Sequence, residues 1–162
     1  MDSRMLAIGV AVAALNAATK ADAQTATQLV RFQVNAINQI AVSGSPAPLI
    51  ISSATAGSAP VSATANGSSY SITTNETNQK ITASIDQALP SGVTLDITLA
   101  APAGAASVGL VPLSTSDADL VTGISSTAAS ALPIVYRLSA TPNVQMAAPA
   151  ARTVTFTIVS GT

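Results

Sequence analysis

Residues 69–85 read SYSITTNETNQKITASI. The runs SYSITT and KITASI each alternate larger apolar with small polar side chains, the period of two expected of a strand with one buried face. NETNQ lies between them, and its side chains bond readily to nearby backbone and so favour turns. The stretch reads as strand, polar turn, strand, a β-hairpin, and it sets the class of the chain as all-β.

The same grammar extends in both directions. Toward the C-terminus, LPSGV (89–93) is a second turn and leads into TLDITLA (94–100). SVGLVPLS, DLVTGIS, LPIVYRLSAT and RTVTFTIV follow. Toward the N-terminus, QLVRFQV (28–34) alternates with Val30, Phe32 and Val34 on one face, INQIAV continues after a break near Asn35 and Ala36, and PLIIS follows two prolines. Residues 100–106 and 147–151 are Ala/Pro/Gly-rich loops, and the Ala/Ser-rich stretch 125–132 is read as loop. About eight to ten short strands predict one antiparallel β-sandwich of the immunoglobulin-like kind. Its core is expected from Val, Ile, Leu and Ala, with Phe32, Phe156, Tyr70 and Tyr136 as the large rings.

Composition narrows the function classes. The chain of 162 residues is 8% charged and 2% aromatic, with a net charge of −1. A typical chain is about 25% charged. Six Lys and Arg spread over the whole length give no basic patch for nucleic acid or anionic membrane. With neither His nor Cys, the common transition-metal sites, acid–base pairs and nucleophiles have no ligands or donors. A non-enzymatic protein without a cofactor is expected. The lack of Trp disfavours a sugar-binding face.

The remaining candidates for chemistry are sparse. Asp117 and Asp119 could contribute to a calcium site, which needs six to eight oxygens, but a solvated loop is the simpler reading. Asp86 and Asp96 flank the LPSGV turn and could form a glycosidase-like carboxylate pair; the simpler reading has each as an outward strand residue. Asn66-Gly67-Ser68 and Asn75-Glu76-Thr77 match the N-glycosylation pattern.

At the N-terminus, Arg4 precedes an apolar run (5–18), and Ala21-Asp22-Ala23 gives an A-x-A cleavage pattern. Residues 1–23 read as a secretory signal peptide, with Gln24 the first mature residue. The run is shorter than the ~20 residues of a membrane span. The sequence TFTIVSGT at the other end shows no anchor, so the expected location is extracellular or cell-surface.

Val30-Arg31-Phe32-Gln33-Val34 and Val154-Thr155-Phe156-Thr157-Ile158 share one alternating pattern at opposite ends of the mature chain. In a self-complete sandwich they are first and last strands, which could pair with each other. With the stretch 73–85 and the final RTVTFTIV, this layout resembles donor-strand-exchange pilins, such as colonisation-factor-type fimbrial subunits and related biofilm fibre proteins. The resemblance implies a donor strand at 24–36, a sandwich domain at 37–162, and a head-to-tail homopolymer. Val30, Phe32 and Val34 would be the donated side chains, and Val154, Phe156 and Ile158 the acceptor groove. No feature specifies an assembly chaperone, a further partner that the resemblance leaves open. The competing reading is a monomeric secreted adhesion or binding module.

Overall fold

The computed structural model describes residues 23–145 and 149–162; the signal-peptide reading falls almost wholly on residues outside these. The chain divides into two units, Met1–Gln33 and Val34–Thr162. In the first, described residues 23–33 contain no strand and are exposed throughout.

The second unit is all-β, with nine strands among the described residues: β1 (Asn38–Gly44), β2 (Ala63–Thr74), β3 (Gln79–Ile85), β4 (Val93–Leu99), β5 (Ala106–Ser107), β6 (Val111–Pro112), β7 (Ala118–Ile124), β8 (Thr127–Ala140) and β9 (Val154–Ser160). They form a five-stranded sheet in the order β1-β2-β8-β4-β6 and a four-stranded sheet in the order β5-β7-β3-β9. Each pairing is antiparallel. Two such sheets, each with an apolar face, bury those faces together. The core holds Tyr70 and Ile72 from β2, Ile81 from β3, Ile97 and Leu99 from β4, and Leu120, Val121 and Ile124 from β7, all at most 1% exposed.

Several sequence expectations change here. The stretch 69–85 is not a hairpin: β2 and β3 lie in different sheets, and residues 75–78 carry the chain from one to the other. The local signal for a turn was right, but a turn does not say which strand becomes the neighbour. Asn78 takes a left-handed backbone (φ 52°) in this crossing, a conformation Asn tolerates better than most residues. The Ala/Ser-rich stretch expected to be loop supplies the first half of β8. It pairs with β2 through a bulge at which Ala131 has φ 56° and its N–H meets Ser71 Oγ. Small residues leave a strand's identity to its neighbours, and β2 supplies the ladder. PLIIS forms no strand; just after it Ala54 and Pro60 make an isolated bridge.

Tyr70 and Tyr136 enter the core as expected, and Phe156 packs against it half-buried. Phe32 does not: it is 91% exposed, in a stretch that forms no strand. The last strand, β9, has β3 as its partner.

Candidate functional site

β9 is an edge strand. Its residues pair one-to-one with β3, from Ser160 opposite Gln79 to Val154 opposite Ile85. No described strand pairs with its other side. Val154, Phe156 and Ile158 face inward and pack on the core, yet each stays only half-buried. The β3 residues Ile81, Ala83 and Ile85, which they neighbour, are at most 4% exposed. An edge with a row of free N–H and C=O groups and an apolar face is a template for another strand.

Beside the first half of β9 the two sheets gape. The opening is a groove of about 1300 Å³ walled by Val154 and Phe156 on one side and by Leu95, Tyr136 and Leu138 on the other. It exceeds the ~300–1,000 Å³ of small-molecule pockets. The backbone explains the gap. β1 ends at Gly44 opposite Ser68, so Ala63–Ala65 of β2 keep only β8 as a neighbour. Gly44 has φ +78°, and a Cβ there would collide with the Gly67 carbonyl, so the chain leaves the sheet at a residue only glycine can supply. Pro46 and Pro48 follow and cannot donate to a ladder.

The groove is nearly neutral. Among the described residues its one charged lining residue is Arg152, whose guanidinium is occupied by the carbonyls of Gln87, Ala88 and Ala151. Five of the nine prolines line it: Pro46, Pro48, Pro60, Pro90 and Pro149. Lacking N–H groups, they remove donors from the walls, so β9 remains the main-chain edge best able to hold a guest. An extended, uncharged segment with alternating apolar side chains fits these constraints.

Of the residues singled out for the acceptor side, Val154 and Phe156 line the groove, whereas Ile158 packs on the core beyond its end. Val30, Phe32 and Val34 are 71%, 91% and 77% exposed, three large apolar side chains without cover. Sequence reading missed the opposite wall, because Leu95, Tyr136 and Leu138 read as ordinary core positions. It also missed residues 46–54, whose apolar run looked like a strand.

The carboxylate candidates go elsewhere. Asp86 lies in the bend just after β3, not on a strand, whereas Asp96 is on β4 in the other sheet. Asp86 accepts from the Thr153 N–H. Asp96 is not a solvated strand residue: it is 5% exposed, covered on the outer face where its Oδ2 takes two hydrogen bonds from Arg137, at 3.1 and 2.9 Å. Asp119 pairs with Lys80 at 3.0 Å. Among the described residues, no group of three or more His, Cys, Asp and Glu is placed to hold a metal. Of the sequon residues, Asn66 is exposed, while Asn75 is engaged with residues 35–37.

No protein-family model, curated protein or solved structure matches this chain.

Proposed function

We propose that this chain is a structural subunit of an extracellular filament or pilus. It polymerises head to tail when the donor segment, narrowed to residues 24–34 because Asn75 holds residues 35–37 to their own sandwich, enters the groove of the next copy, with Val30, Phe32 and Val34 covering the apolar floor beside Val154 and Phe156. The observation that carries the reading is the unpaired edge of β9 along a neutral apolar groove, in a chain that also carries an exposed segment of matching alternation.

Chain geometry favours a neighbour over self-insertion. Residues 35–37 are fastened beside Asn75, at the end of the sandwich where β9 finishes, since Gly161 N–H reaches Asn78 O there. The groove lies at the opposite end, from the level of Phe156 to Val154 and on to Leu89 and Pro90. Val154 pairs with Ile85, six residues along β3 from Gln79, or about 20 Å at ~3.3 Å per residue. Phe32 precedes Asn35 by three residues and reaches about 11 Å at most. Within one chain, Phe32 falls short of most of the groove while residues 35–37 stay fastened. A segment arriving from another copy enters at the open end and runs antiparallel to β9. A contact of this kind that does not close into a ring grows a filament.

Burial of Val30, Phe32 and Val34 contributes roughly 1.5–3 kcal/mol each as an upper estimate, and each main-chain hydrogen bond about 0.5–1.5 kcal/mol net. Electron microscopy of the chain beginning at Gln24 is expected to show filaments. Phe32→Asp should abolish them without unfolding the sandwich, because it would place an unpaired carboxylate in an apolar groove. Mixing two isotopically labelled populations and cross-linking residue 32 to β9 decides the matter. Mixed-label products are expected. Cross-links confined to single chains would refute the proposal and leave the monomeric secreted module.

A further inference from the structure

The sandwich begins its hold on the chain before β1 does, and the side chain of Asn75 supplies part of that hold. Asn75 Oδ1 accepts the Ile37 N–H at 2.8 Å, and Asn75 Nδ2 donates to the Asn35 carbonyl at 2.8 Å. The Asn75 N–H donates to the Ile37 carbonyl at 3.3 Å. A primary amide has the donor and acceptor of a peptide group, so Asn75 acts as one more rung of the β1–β2 ladder after that ladder ends at Asn38 and Thr74. The adjacent residues brace it: Thr74 Oγ1 donates to Asn38 Oδ1 at 2.6 Å and Asn38 Nδ2 donates to Glu76 Oε2 at 2.5 Å. The Oε2 of Glu76 thereby holds the start of β1 against the same turn.

The consequence concerns slack. Val34, the last of the three exposed apolar residues, is followed immediately by Asn35, whose carbonyl Asn75 holds. No free linker separates the proposed donor segment from its own sandwich. We infer that Asn75 is a positioning residue for assembly: by fastening residues 35–37 it joins the donated segment to its sandwich without play, and so makes the filament stiff. This rests on the filament reading. A flexible linker would allow neighbouring subunits to swivel, since chain ends separated by free residues sample a wide range of distances. With Asn75 in place, the subunit-to-subunit joint has only the freedom of a hydrogen-bonded strand.

The test uses the chain beginning at Gln24, as wild type, N75A, N75D and N66A. N75A removes both side-chain bonds. N75D keeps the acceptor for Ile37 but sets an anionic oxygen against the Asn35 carbonyl. N66A changes an exposed amide on β2 and serves as control. In the unassembled proteins, hydrogen exchange at the Ile37 amide should be about tenfold faster in N75A than in wild type. In electron micrographs, the bending persistence length of N75A and N75D filaments should fall several-fold, with N66A unchanged. Melting temperature, and affinity of a peptide spanning residues 25–36 for chains lacking residues 24–34, should be the same with and without N75A, showing the groove intact. Loss of filaments with both of these unchanged also supports the inference, as a joint too loose to propagate. Loss of filaments with a lowered melting temperature or weakened peptide binding overturns it, because Asn75 then serves the fold alone. Unchanged Ile37 exchange, or faster exchange with unaltered stiffness, overturns it while leaving the filament reading standing. Wild-type protein that forms no filaments overturns both.

Discussion

The two ends of this sandwich are built from the same kinds of side chain and finish differently. At the end nearest the β2–β3 crossing, Ile72, Ile81 and Ile124 are at most 1% exposed. At the other, Leu95, Val154 and Phe156 are only half-buried and line a groove. Hydrophobicity does not separate them; coverage does. β1 runs beside β2 only as far as Ser68, and past that point none of the described strands closes the gap between the sheets. Apolar residues at the open end have been brought together but not covered, which is the arrangement a guest strand completes.

The largest test of this contrast is truncation at each end. Ile81→Ala or Ile97→Ala should cost about 2–5 kcal/mol, as at other filled core sites. Leu95→Ala in the wall of the groove should cost markedly less, because much of its cavity already exists. Urea denaturation measures both. Adding the peptide spanning residues 25–36 should widen the effect of Leu95→Ala and leave that of Ile97→Ala unaltered. Equal costs at both ends without peptide would break the comparison.

A smaller effect distinguishes the two tyrosines. Burial pushes Tyr70 from the ordinary 10.0 up to about 12, and its hydroxyl donates to the Ala100 carbonyl at 2.5 Å. Since the folded state holds the proton more tightly than the unfolded chain, stability is fully present below pH 10 and declines as pH rises toward 12, by on the order of 2 kcal/mol. Melting curves across that window should show the decline, and Tyr70→Phe should remove most of it. Burial also raises Tyr136, which lines the groove. A guest strand should raise it further while leaving Tyr70 unmoved, a difference that ultraviolet titration of tyrosinate can follow.

The smallest expected effect lies away from both ends. Arg137→Met strands Asp96, whose side chain is 8% exposed, without its guanidinium. The Arg137 side chain is 43% exposed, so water screens part of the loss and roughly 1–2 kcal/mol is expected in place of the larger figure for a fully buried pair. Asp96→Asn in the same background should recover some of it, and a double-mutant cycle measures the coupling. Neither change should alter peptide binding. If either did, the outer face of β4 and β8 would be coupled to the groove.

The sequence by itself determined the class of fold and most of the strands, because alternation such as Tyr70-Ser71-Ile72 is a local property set by two faces of one backbone. It also marked the two alternating segments, around Phe32 and Phe156, without saying whether they meet. Tertiary structure alone decided the partners. Residues 75–78 have the chemistry of a turn whether they close a hairpin or cross between sheets, and only the competition of β8 for β2 and of β7 and β9 for β3 makes them cross. The small residues at the start of β8 carry too little propensity to declare a strand, and the apolar run at residues 49–51 carries enough but finds no ladder. The groove was illegible for the same reason. Leu95 and Leu138 are ordinary core residues in the sequence, and they line an opening only because Gly44, Pro46 and Pro48 end β1 before the two sheets have been closed over them.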